Sequence, residues 1–512
     1  MSLQIEAFAN SDDALVVWRS PDRIPDCIGF VLRRRRNGKE EIVRNRISFS
    51  GGEPDPTHPE SSIKSPLRRY AWTDHEVNTG DKVSYQVVPV IQSGQAAPAL
   101  EEGQKSPWSD EVELAGDVSQ PFECYFNRGL VISQFMSRRL KGDLSGKSLQ
   151  AFKKSLNDKV ENSLRTFLGG DLRRRLFELL DETRKNGGRV YAALFELSDE
   201  GLLEKLEKLG DRTHIVLANG AHKSRDDDEN KDARARLKAA GCEVHDRMLA
   251  SGVLGHNKFA ALCGKTGKPR AAWTGSTNWT PTGLCTQINN GVLIKDPKVA
   301  DFFVKQYELL RDAGTKTPPD LIAANSQVKA TTIGGAGVDV WFSRSSDRQE
   351  MEAVEKLFDG VSDGIMFLMF QPGGSPILDA IVARQKANAD LFVKGVISTM
   401  DKKQTDRAGV SLVDRNGTAV HKFRIVQPQG LSSVGKWAAE VSRKTFLSQV
   451  GFAIVHSKVI VLDPNGKDPA VITGSHNFSA AASGKNDENL VIIRGDKALA
   501  KAFAVNIQSV YD

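Results

Sequence analysis

Two stretches of the chain set short apolar runs between polar punctuation in the same order. In residues 451–493, Val459 to Leu462 and Ala470 to Ile472 are partly β-branched runs bounded by Asp463-Pro464-Asn465-Gly466 and Gly474-Ser475. This is the pattern of two buried strands joined by a turn. Alternate side chains of a strand share a face, so His456 and Lys458 point the same way. Neither belongs in an apolar core without a partner.

The pattern occurs a second time upstream, in residues 255–294, with His256, Lys258, Ser276, Asn278 and Asn290. His256 to Asn278 spans 22 positions and His456 to Asn477 spans 21, and each asparagine is followed 12 positions later by another, Asn290 or Asn489. Two copies of H-x-K, apolar strand, turn, second strand, G-S-x-N and third apolar strand point to an internal duplication.

These residues resemble the phospholipase D superfamily, whose signature is H-x-K-x4-D followed by G-S-x-N, once in each of two halves. The second copy has Asp463 at the family's aspartate position, whereas the first has Cys263. The family's aspartate is structural more than chemical, so the departure bears on local geometry in the first half.

Outside the motifs, hydrophobic periodicity divides the chain. Residues 1–116 carry short strand-like runs (Ala14 to Trp18, Gly29 to Arg33, Arg69 to Trp72, Val83 to Val90, Ser109 to Leu114) separated by Pro, Gly, Asn and Asp, which predicts an all-β sandwich. Tyr70 to Gly94 with Pro107 to Leu114 resembles a fibronectin type III domain, which makes Trp18, Trp72 and Tyr85 core or corner residues. From Phe122 the pattern turns to alternating helices and strands. Arg189 to Phe195 and His214 to Leu217 read as strands, and Leu202 to Leu209 and Lys231 to Ala240 as helices. Residues 121–315 form one α/β half, and residues 316–337, polar with Pro318, Pro319 and a Gly-Gly pair, read as a linker. Residues 338–512 restart the same grammar. A pseudo-twofold axis between such halves brings His256 and His456 to opposite sides of one cleft.

Composition narrows the function. The 512 residues carry a formal net charge of +6 and five cysteines. An odd cysteine count without repeating spacing fits a reducing compartment, and neither a secretory leader nor an apolar run of roughly 18 residues is evident, so a cytoplasmic chain with no integral membrane association is expected. The mild basicity favours a polyanionic partner. Arg33 to Arg36 reads as a solvated strand or a docking patch for nucleic acid, and Asp226 to Glu229 as a solvated turn before a helix. His214, His222, His245 and His421 are solitary. No zinc-like spacing is present, and no metal or other cofactor is expected.

The resemblance implies hydrolysis of a phosphodiester through a covalent phosphohistidine, one histidine attacking phosphorus and the other protonating the departing oxygen. Lys258, Lys458, Asn278 and Asn477 would donate to the non-bridging oxygens. Ser276, Ser475 and Asn289 are candidates for substrate binding, and Asp463 for a structural role. Glu488 stands where the first copy has Asn289. A carboxylate beside an imidazole favours its protonated form, so a Glu488–His456 pair makes His456 the general acid and leaves His256 as nucleophile. A metal-independent nuclease is the leading expectation, with Trp279 and Phe478 either stacking on bases or packing beneath the motif loops. The alternatives are a phospholipase D acting on lipid head groups and an inactive phosphate-binding module.

Overall fold

The apolar runs around both motifs are strands buried on both faces, and helices cover them. The computed structural model describes residues 3–45, 60–94, 96–129, 155, 162–221, 227–373, 375–398, 424–426 and 455–511. His222, Asp226 and His421 lie outside them.

Two mixed sheets carry the motifs. The first runs, edge to edge, Phe122–Phe126, Asn290–Ile294, Pro269–Gly275, Lys258–Cys263, Arg189–Leu194, Thr213–Ala218, Glu243–Arg247. The second runs Lys329–Ile333, Ala336–Ser343, Glu488–Arg494, Ala470–Gly474, Val459–Leu462, Gly364–Met369, Phe392–Ile397, Arg424–Val426. Apart from the added Lys329–Ile333 strand, order and sense agree position by position: the first four pairings are antiparallel and the last two parallel. Helices Glu200–Leu209, Lys231–Ala239 and Pro376–Ala387 join three of the parallel pairs, as such crossovers require. Helix Glu200–Leu209 is N-capped by Asp199, and Pro376–Ala387 by Ser375 with proline in its first turn.

The sheets share one apolar core. Phe259 of the first sheet and Phe342 of the second both pack on Phe303 of helix Pro297–Ala313, at ring separations of 5.0 and 5.4 Å. Helix Lys497–Tyr511 adds Leu499, Phe503 and Ile507 to the same cluster. A buried ion pair fixes the seam: Arg247 donates from Nε to Asp487 (2.8 Å) and from Nη1 to the carbonyls of Gly314 and Lys316, both partners being 1% exposed.

Residues 316–337 depart from the expected linker. They hold helix Pro319–Asn325 and strand Lys329–Ile333. Pro319 suits a first helical position because that N–H needs no partner. Gly334 and Gly335, both at positive φ (57° and 90°), are the two-residue turn of a hairpin pairing Ile333 with Ala336. The glycines make the strand connection tight; they do not make the segment loose.

The N-terminal part is β-rich. Gln4–Ala9, Ala14–Arg19 and Ala71–Asp74 form one antiparallel sheet, and Val112–Glu113, Lys82–Ile91, Cys27–Arg36 and Lys39–Ile42 line up in another. Trp18, Trp72 and Tyr85 are buried between them. The arginine run is neutralised locally: Arg33 pairs with Glu102, Arg34 with Asp74 and Glu41, Arg35 with Glu40, and Arg36 with Glu41. Each guanidinium already has an acid, which removes the basis for a phosphate-docking patch there. Asp12 and Asp13 join this part to the rest through Arg128 (3.1 Å) and Ser509 (3.0 Å).

Candidate active site

Each histidine precedes its strand, and each following lysine folds back on it. Lys258 Nζ donates to the carbonyl of His256 at 2.8 Å, and Lys458 Nζ to that of His456 at 2.7 Å. An aromatic ring from the neighbouring strand closes over each imidazole, Phe195 on His256 at 4.7 Å and Phe370 on His456 at 4.8 Å. The G-S turns follow. Gly275 and Gly474 have φ of 147° and 146°, and a Cβ on either would meet a backbone carbonyl, of Asn290 or Asn489, at 2.3 Å. Glycine is therefore required at both.

The orienting partners cross between sheets. His256 donates from Nδ1 to Glu488 Oε2 at 2.7 Å, and His456 from Nδ1 to Asn289 Oδ1 at 2.9 Å. The expected Glu488–His456 pair is thus replaced by Glu488–His256. The reason is in the backbone: His456 N and Ser457 N both donate to Ile288 O, and Asp487 N to Leu254 O, so each histidine turn docks against the other copy's third strand. Further bonds bridge the seam, Asn290 Nδ2 to Thr473 Oγ1 at 2.9 Å and Asn489 Nδ2 to Asn257 Oδ1 at 3.1 Å.

Ser276, Ser475 and Asn289, the candidates for substrate binding, are buried behind the histidines. Ser276 Oγ donates to Asn289 Oδ1 (2.8 Å), and Ser475 Oγ to Glu488 Oε2 (2.7 Å). Asn289 is fully buried and spends Nδ2 on Gly283 O. These groups fix the acceptors that fix the rings. Trp279 and Phe478 are buried to 1% or less, so they pack under the loops and present no face for a base. Asp463 receives backbone N–H bonds from Ser362, Asp363 and Gly364 (3.0, 2.7 and 2.9 Å), tying the end of its strand to the start of the next. Cys263, buried at a register shift, offers no such acceptor.

Electrostatics follow from burying so many ionisable groups together. Burial, then the two lysine ammoniums, hold both imidazoles well below the usual histidine range. Burial pushes Lys258 down to about 7 against the pull of Glu488 and Glu196, and puts Lys458 well below the usual lysine range. Burial raises Glu488 to about 7, opposed by Lys258. Both rings are thereby biased toward their neutral form, with Nδ1 engaged by Glu488 or Asn289.

Four further residues take part. Glu196, at the end of Arg189–Leu194, accepts from Asn278 Nδ2 at 2.7 Å. His476, where the first copy has Thr277, accepts from Phe478 N (3.0 Å) and lies 3.6 Å from buried Glu350. Phe195 and Phe370 close over the two imidazoles. Their shared position at the ends of equivalent strands, Phe-Glu and Phe-Gln, was the available signal. His214 and His245 are both held by Glu243, at 2.6 Å. Among the described residues no His, Cys, Asp and Glu group is arranged to hold a metal ion, and no helix is long and apolar enough to cross a membrane.

Residues 365–511, which include His456, Lys458 and Glu488, match the family model described as cardiolipin synthase, PLD-like domain. This part of the chain is a phospholipase D-like domain. Over 53 residues, 10% of the chain, it is 47% identical to a protein of Rickettsia felis named phospholipase D, and that match spans 24% of the relative's length. Among solved structures it is similar to phosphatidylserine synthase of Haemophilus influenzae Rd KW20 (12% identity, TM-score 0.42, 67% of this chain and 84% of that one). It is also similar to Nuc, a phospholipase D family member of Salmonella typhimurium (23% identity, TM-score 0.24, 34% of this chain and 94% of that one).

Proposed function

We propose that the chain is a phosphodiesterase working through a phosphohistidine, with His256 as nucleophile and His456 as general acid. The observation that carries this reading is the crossed pair of orienters, which leaves two neutral imidazoles at one cleft with opposite demands. His256 has a carboxylate behind it. When Nε2 attacks phosphorus the ring becomes cationic, and Glu488 stabilises that charge. His456 has only the Asn289 amide, so its protonated form is the stronger acid.

The arriving phosphodiester anion offsets the lysine charges and lets His456 take up a proton. His456 gives that proton to the departing oxygen, then removes one from the water that cleaves the phosphorus–nitrogen bond. Lys258, Lys458, Asn278 and Asn477 stabilise charge on the non-bridging oxygens. An internal duplication with a pseudo-twofold axis accounts for the matching strand order, and the N-terminal part is proposed as a fibronectin type III-like sandwich. The odd cysteine count without repeating spacing supports a reducing, cytoplasmic setting.

Nucleic acid is the substrate class favoured by the net charge of +6. Phospholipid head groups are the second reading, supported by the match of residues 365–511 to a cardiolipin synthase-type domain. Purified protein in excess EDTA, incubated in parallel with labelled single-stranded DNA and phosphatidylcholine micelles, tests both. DNA cleavage abolished in His256→Ala supports the nuclease, choline release alone supports the lipase, and silence on both rejects the two substrates.

A further inference from the structure

The two halves of the cleft differ at one position that the proposed chemistry leaves idle. Strand Arg189–Leu194 is followed by Phe195-Glu196 and its equivalent Gly364–Met369 by Phe370-Gln371. The phenylalanines hold matching places on the two imidazoles. The next residues do not match: Gln371 is exposed, whereas Glu196 is half-buried and its Oε2 takes the amide hydrogen of Asn278. Asn278 is thereby committed to a carboxylate, and its own Oδ1 is buried without a partner. Asn477, at the same place in the second copy, makes no hydrogen bond to any described residue. One of the two amides assigned to the phosphoryl oxygens thus already spends one of its two N–H hydrogens on a carboxyl group.

A phosphoryl oxygen reaching the second N–H of Asn278 comes close to that carboxylate, and two anions converging on one amide nitrogen repel unless one carries a proton. The groups facing Glu196 are Lys258 and Lys458, which favour its charge, Glu229, which opposes it, and the Asn278 amide. Glu229 is itself engaged, accepting from Ala221 N at 2.9 Å. Burial outweighs the lysines and lifts the Glu196 carboxyl to about 7.

We propose that Glu196 is a substrate-contacting gate of the phosphoryl site: as a carboxylate it bars an anion, and as a carboxylic acid it admits one and donates its hydrogen to a phosphoryl oxygen. The proton comes from solvent on binding and returns there on release. This rests on the reading of the cleft as a phosphoryl site. It selects substrates by charge, since a monoester dianion meets the gate with more negative charge than a diester.

The bland alternative is that Glu196 is only a counter-charge for the lysines, and the two predict opposite signs. Removing a counter-charge depresses lysine protonation and weakens anion binding, whereas removing a gate strengthens it. The test is calorimetric titration of the full chain with sulfate, an anion that stays fully ionised from pH 6 to pH 8. Wild type should bind less tightly at pH 8 than at pH 6, and Glu196→Gln should bind about tenfold tighter than wild type at pH 8, one unit above a group titrating near 7. Glu196→Ala is an independent second variant with the same expected sign. With bis(p-nitrophenyl) phosphate as substrate, the gain at pH 8 should fall on KM and not on kcat. Equal or weaker sulfate binding by the variants at pH 8, or no sulfate binding by wild type at pH 6, overturns the proposal. Calorimetry needs no turnover, so a protein that binds sulfate in this manner but cleaves no diester would count against the hydrolytic reading and not against the gate.

Discussion

Glu488 holds His256 from the opposite sheet, its Oε2 accepting the Nδ1 proton at 2.7 Å, while its own copy's histidine is held by Asn289. In the proposed mechanism the carboxylate therefore serves the ring that acquires positive charge on becoming phosphorylated. With p-nitrophenyl diesters, whose leaving group needs no acid, His456→Ala should still release a burst of p-nitrophenol. It should then stall, because no base activates water for the second step. Acid quench and peptide mapping should find the phosphate on His256. Phosphate on another residue, or no burst, reverses or removes this assignment.

The same pair makes a prediction about pH and stability. Glu488, raised to about 7 from an ordinary 4.5, holds a proton in the folded state that the unfolded chain lacks between those values. Its contribution is fully present below pH 4.5 and is lost as pH rises through 7. The two imidazoles, held well below 6.5, act in the opposite sense: the unfolded chain takes up protons that the folded one refuses as pH falls. Glu488→Gln leaves the histidine effect unopposed at this site. From pH 7 to pH 5 the variant should lose stability relative to wild type by up to about 1.4 kcal/mol per pH unit. Urea denaturation at pH 5, 6 and 7 measures it, and parallel curves would contradict the assigned shift.

Lys458 is fully buried with its ammonium 5.1 Å from the Phe370 ring centre and 2.7 Å from the His456 carbonyl. If it stabilises charge on the phosphoryl oxygens, Lys458→Met should lower kcat by about 100- to 1,000-fold. The fold should persist, because methionine fills similar volume and removes a buried charge. A loss confined to KM would assign it to ground-state binding instead.

The Arg247–Asp487 pair lies beside the site and ties the first sheet to the segment leading into Glu488. Asp487→Ala takes the carboxylate from both Arg247 and Arg344 and leaves the Arg247 charge buried, with a cost of about 3 kcal/mol expected. It should also loosen Glu488 and with it the Nδ1 proton of His256. Chemical denaturation and an NMR reading of that proton together check the point, since a purely structural effect would leave the proton's shift unchanged.

Much of the site was legible in one dimension because strand periodicity and turn chemistry are local. His256-x-Lys258 and His456-x-Lys458 sit where alternation places them, Gly275 and Gly474 stand where only glycine fits, and Arg189–Leu194, Glu200–Leu209, Thr213–Ala218 and Lys231–Ala239 start and stop within two residues of their predicted ends. Asp463 carries its own explanation once Gly364 is adjacent. Local pattern misled at 316–337, where Pro-Pro and Gly-Gly read as looseness but serve as a helix start and a hairpin turn.

By itself the sequence determined the residue types of the candidate site, their recurrence in two stretches and the strands that present them, all consequences of spacing along one chain. Tertiary structure alone decided which carboxylate faces which histidine, that Ser276, Ser475 and Asn289 stand behind the rings, and that Glu196 occupies Asn278. Those are contacts between residues as far apart as His256 and Glu488, 232 positions in the chain. No local preference encodes them, because they arise only when two sheets bury a common core and their motif turns meet across it.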